Sequence, residues 1–204
     1  MAVFQAIERL LGSVLGAEYF QKGKKEYDSS IDKLIKMEKK SRRRIWAVCG
    51  EFNNDRVSGE ETAEIIRKEI SKNSSFDVRF LFAKTLENKY GEAIEQRKRE
   101  AIEKIKDDKN NKFILEVFLS ELNKNGNIKI YWANKRPAFH FHLCDDNMFL
   151  EEKHLPSGKP GEGNPRAVLI IKDDKRLANK YAQHFANMAN MKDIVVQLFP
   201  DDFN

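Results

Sequence analysis

The stretch from Ile45 to Phe82 constrains this chain more than any other. Ile45-Trp46-Ala47-Val48-Cys49 is a short uninterrupted apolar run, the pattern of a strand covered on both faces. Ser58-Gly59-Glu60-Glu61 follows with capping-box spacing. The helix it opens sets Ala63, Ile66 and Ile70 along one face, with Ile65 beside them. Val78-Arg79-Phe80-Leu81-Phe82 then reads as a second strand. Strand, helix and strand within about 40 residues predict a βαβ unit, whose two strands run parallel.

Downstream, residues 86–123 are charged and helix-prone. Ala93, Ile94, Ala101, Ile102 and Ile105 mark one helix; Phe113, Ile114, Val117, Phe118 and Leu122 mark another, ended by Asn125-Gly126. Three strands are expected next, at 128–132, 139–144 and 147–151. Asp145 and Asp146 form the turn of a hairpin between the last two. Pro156, Gly158, Pro160, Gly161, Gly163 and Pro165 leave no room for a regular element, so 155–165 is a surface loop. Ala167–Ile171 is a further buried strand. Asp173 or Asp174 then caps a helix bearing Leu177, Ala178, Tyr181, Phe185 and Met188, and a strand at 194–198 follows.

Upstream, Val3, Phe4, Ile7, Leu10, Leu11, Val14, Leu15 and Tyr19 share one face of a helix predicted over residues 2–20. A second helix runs to about Ser41 with Ile31, Leu34, Ile35 and Met37 as its stripe. The division expected is a helical extension over 1–43 and an α/β domain over 44–204. No apolar run approaches the roughly 20 residues that cross a bilayer. Glu8, Arg9 and Glu18 interrupt the apolar region that a secretory leader would need. Only Cys49 and Cys144 occur, both in strand-like apolar runs, so a reducing cytoplasmic setting is the simpler expectation.

Lys and Arg number 37 against 32 acids, a net charge of +5 that permits a polyanionic partner without requiring one. The densest basic cluster is Lys39, Lys40, Arg42, Arg43 and Arg44. It reads either as cations complementing a helix C-terminus or as a phosphate-contacting patch.

The segment Ala138-Phe139-His140-Phe141-His142-Leu143-Cys144-Asp145, after a strand ending near Trp132, resembles one half of the phospholipase D superfamily. That resemblance implies an α/β/α sandwich with a mixed sheet, preceded here by the helical segment. It also implies a His-x-Lys-x4-Asp motif, in which the histidine attacks phosphorus and the lysine binds phosphoryl oxygens. Two halves meet in that family, so a single half implies a homodimer. With Asp145 in the aspartate place, His140 stands at the lysine and Ala138 at the nucleophile. With His140 as nucleophile, His142 stands at the lysine and Asn147 at the aspartate. The motif is incomplete in both registers, and Glu151-Glu152-Lys153-His154 occupies the usual Gly-Ser-x-Asn element.

Read without the family, His140 and His142 share one face of a strand, with Phe139, Phe141 and Leu143 on the other. Asp145, Asp146, Glu151, Glu152 and His154 lie at the end of the same hairpin. Three arrangements remain open. The histidines line a polar sheet face with carboxylates fixing their tautomers; or they bind an anion together with Lys153 and Arg136; or they hold a metal with one carboxylate. Trp46 and Trp132 are expected in the core. Tyr131 and Phe139 can stack on bases but more simply pack. Cys144 reads as a small buried hydrophobe, not a nucleophile.

These features predict a non-catalytic binding or regulatory module, dimeric, with no cofactor. Its ligand site would hold His140, His142, Arg136, Lys153, His154 and Glu151. Its partner would be a phosphate-bearing ligand, a nucleic acid or another protein. The alternative is a slow phosphodiesterase or nuclease with His140, His142 and Asp145 as catalytic residues.

Overall fold

A computed structural model describes residues 17–20, 24–49, 59–83, 96, 99–100, 103, 127–133, 139–152, 167–191 and 195–199. Within them lie β1 (Ala17–Phe20), α1 (Lys24–Lys40), β2 (Arg44–Cys49), α2 (Gly59–Lys72), β3 (Asp77–Ala83), β4 (Ile128–Ala133), β5 (Phe139–Cys144), β6 (Asn147–Glu152), β7 (Ala167–Ile171), α3 (Lys175–Ala189) and β8 (Val195–Phe199). The strands form one mixed sheet in the order β1-β7-β6-β5-β2-β3-β4-β8.

The expected parallel pair is there: β2 pairs with β3 over Arg44↔Asp77 to Cys49↔Phe82, and β3 continues the parallel set with β4. On one side β5, β6, β7 and β1 join in antiparallel succession; on the other, β8 pairs antiparallel with β4. Because side chains alternate along a strand, the sheet divides its apolar residues between two faces. Ile45, Ala47, Val78, Phe80, Ile130 and Cys144 meet α1 and α2. Trp46, Val48, Leu81, Tyr131, Phe141 and Leu143 meet α3.

Local sequence explains each helix on these faces. In α1, Ile31, Leu34, Ile35 and Met37 are all buried, as the stripe predicts. In α3, Asp174 caps the first turn by accepting from the Leu177 amide at 2.9 Å. That start aims Phe185 into the sheet, where it is fully buried and lies 5.4 Å from the Trp46 ring and 5.9 Å from Tyr131. Trp46 is core, as expected, but both neighbouring arginines use its outer face: Arg79 sits 4.0 Å and Arg44 5.3 Å from the ring centre.

The helix expected over 2–20 is corrected at its end: Ala17–Phe20 is a strand. The edge of β7 offers a row of amides and carbonyls, and pairing with it from Ala17↔Ile171 to Phe20↔Val168 outweighs a helical pattern weakened by Gly12 and Gly16. Residues 1–16, the loop at 155–165 and most of 86–123 lie outside the described residues.

Glu18 clasps β1 to its neighbours by bonding Lys172, just beyond β7, and Lys33 of α1. The Lys172 bond first, and the Lys33 bond with it, hold the Glu18 carboxyl below its ordinary value. A depressed carboxyl contributes stability above its unfolded-state value and loses it as pH falls through the folded one. Glu18→Gln is therefore expected to destabilise at neutral pH by under about 1 kcal/mol, the group being partly exposed and screened. In acid the two proteins should converge, which urea midpoints at both pH values will read.

Candidate functional site

His140 and His142 do share a face of β5, the one covered by α1 and α2. They are 8% and 7% exposed, so they form part of the interior and not of an open polar surface. Their strand lies between β2 and β6, with His142 opposite Ala47 on one side and Phe149 on the other. The Phe149 ring stands edge-on to the His142 imidazole at 6.2 Å.

The carboxylate beside His142 comes from a distant helix. Glu38 of α1, with no exposed surface, places Oε1 3.1 Å from His142 Nδ1. Its other oxygen accepts a 2.8 Å hydrogen bond from the Thr62 hydroxyl of α2. A buried carboxylate is costly unless hydrogen-bonded, and here both oxygens are engaged. With Glu38 as acceptor, Nδ1 carries the proton and the ring orientation is fixed. One polar chain thus ties strand β5, α1 and α2 together.

The sequence held a signal for this arrangement. Glu38 lies four residues after Leu34 and seven after Ile31, squarely in the apolar stripe of α1, where a charge needs a buried partner. Thr62 occupies the same sort of place, preceding Ile65 and Ile66 on α2.

Asp145 has a different task. It stands at positive φ (55°) in the β5–β6 turn, a conformation aspartate tolerates better than most residues. Its carboxylate accepts from the backbone amides of Arg42 (2.8 Å), Arg43 (2.9 Å) and Arg44 (3.0 Å). Asp146 pairs with Arg43 at 2.7 Å. The hairpin acids therefore hold the α1–β2 connection, at the end of β5 away from His140. Asn147 bonds the Cys144 carbonyl and the Asp173 amide. Burial pushes the Cys144 thiol well up, the Glu38 charge adds to this and a Ser41 hydrogen bond opposes it, so this thiol is a poor nucleophile at neutral pH.

Among the described residues no three His, Cys, Asp or Glu side chains gather as metal ligands. Glu151 is placed opposite His140 in the β5–β6 register by its backbone. Arg136, Ala138, Lys153 and His154 lie outside the described residues.

The sequence matches no family model and no curated protein. Solved structures do align with the fold. Phosphatidylserine synthase of Haemophilus influenzae aligns over 91% of this chain and 40% of its own, with a TM-score of 0.55 and 14% identity. The fold is a mixed-sheet α/β fold like that of this synthase. Nuc, a phospholipase D family member from Salmonella typhimurium, aligns over 84% of this chain and 91% of its own, with a TM-score of 0.48 and 9% identity. TrmBL2, an archaeal chromatin protein whose structure shows a mode of DNA binding, aligns over 92% of this chain and 58% of its own, with a TM-score of 0.48 and 11% identity. No described helix is long and apolar enough to cross a membrane.

Proposed function

We propose that this chain is a non-catalytic binding or regulatory module on a phospholipase D-like scaffold, acting as a homodimer. The observation that carries the reading is the burial of both histidines, with His142 tied through Nδ1 to the wholly buried Glu38. A phosphorus nucleophile must reach substrate, and these imidazoles lie beneath helices. The residue in the nucleophile place of the more natural register, Ala138, has no nucleophilic group. Binding then falls to groups that flank β5 and β6 in the sequence: Arg136, Glu151, Lys153 and His154. A phosphate-bearing ligand or a protein partner suits that mixture of charges.

A second reading, a slow phosphodiesterase or nuclease with His140 as nucleophile, draws on one observation: a carboxylate orients the neighbouring imidazole, as it does in sites of nucleophilic catalysis.

A thermal-shift screen of nucleotides, inorganic phosphate and divalent metals tests the leading reading. A phosphate-bearing ligand at about 100 times its Kd is expected to add about 2.7 kcal/mol. Arg136→Ala with Lys153→Ala is expected to abolish that shift. A midpoint that no compound moves counts against a small ligand, and a monomer in sedimentation counts against the dimer.

A further inference from the structure

The basic cluster that follows α1 takes no part in the histidine site. It meets the chain at Asp145, five residues along the hairpin from His140, or roughly 16 Å at strand spacing. Cations in the last turn of α1, Lys39 and Lys40, suit a helix C-terminus. Arg42 and Arg43 lie beyond that turn, and the three amide bonds to Asp145 fix their backbone.

At this end of the molecule the acids lie below and the cations outside. Arg42 and Lys72 both bond Glu69, at 3.1 and 2.9 Å; the Glu69 side chain is 8% exposed, theirs 64% and 52%. Arg43, 58% exposed, bonds the less exposed Asp146. Lys40 is exposed beside them. Asp145 adds a third carboxylate, bonded to backbone amides and 4.0 Å from Arg43 Nε. Four exposed cationic side chains at this end therefore outnumber three less exposed carboxylates, and the surface they present is positive.

We propose that this end is a second binding surface, one that takes the phosphate backbone of a nucleic acid. Arg42 Nη1 and Arg43 Nη2 donate to protein acceptors, but each guanidinium keeps further N–H groups for phosphate oxygens, and the two ammonium groups add charge. Contacts to the phosphate backbone carry no sequence information, so binding is sequence-independent and governed by salt. Four phosphate contacts on a duplex give a slope of log K against log salt of about −3.5.

The test is fluorescence anisotropy of a labelled mixed-sequence duplex with the full chain, between about 50 and 200 mM salt. Saturable binding with a slope near about −3.5 is expected. Lys40→Gln with Arg43→Gln should weaken binding at least about tenfold and roughly halve the slope. Arg42 and Lys72 are left in place because they engage Glu69. If the double variant unfolds, Lys40→Gln alone reads the same effect at a smaller size, since no bond from Lys40 is seen among the described residues. Lys180→Gln, which removes an exposed cation from α3, should leave duplex binding unchanged, which separates this surface from a general loss of charge. Absent binding at low salt, or an affinity and slope that neither variant moves, overturns the proposal. So does tighter binding to anionic phospholipid vesicles than to the duplex.

Discussion

Glu38→Ala is expected to cost about 3 to 5 kcal/mol, the range for removing one partner of a buried ionisable pair. The substitution strips His142 Nδ1 and the Thr62 hydroxyl of their shared acceptor and leaves a hole between α1 and the sheet. It should appear as a fall in the denaturant midpoint with the slope unchanged. Glu38→Gln keeps one acceptor oxygen and should lose less. The pairing itself is isolated by replacing both ends, Glu38→Met with His142→Phe. Removing the charge and the imidazole together leaves neither stranded, so the double variant should be more stable than Glu38→Ala. A double variant that merely sums two large losses would show that the hydrogen bond is not the stabilising element.

Asp145→Ala is the second large effect, expected at about 2 to 4 kcal/mol. Three amides lose a charged acceptor, and alanine must adopt a left-handed backbone at about 1 kcal/mol or more. Asp145→Gly separates these causes, because glycine accepts the backbone and lacks the carboxylate. Asp145→Asn keeps both the backbone tolerance and one acceptor oxygen, and should sit nearest the native protein. Urea denaturation of the three variants will rank them; alanine and asparagine of equal stability would remove the carboxylate from the account.

What was legible in the sequence was local. The Ile45 run, the Ala63–Ile70 stripe, the Asp145-Asp146 turn and the Asp174 cap all act within a few residues of themselves, and each element formed where its signal lay; Ser58 lies outside the described residues. Ala17–Phe20 did not, because its state depends on the β7 edge, 148 to 154 residues away. The insertion of β5 beside β2, antiparallel to it, likewise follows from long-range packing and not from any propensity in either strand. Alternation correctly put His140 and His142 on one face, yet it could not say that helices cover that face. The hairpin acids are the carboxylates nearest His142 in the sequence, yet among the described residues none of them is its hydrogen-bond partner. That partner comes from α1, 104 residues away, where one glutamate interrupts an apolar stripe.

The most direct test of the central claim is a cleavage assay. Labelled single- and double-stranded nucleic acid and a generic phosphodiester would be incubated with the purified protein, in EDTA and with added metals, beside His140→Ala. No cleavage is expected under any of these conditions. Cleavage that persists in EDTA and disappears with His140→Ala would contradict the non-catalytic reading and make His140 the nucleophile of a phosphodiesterase.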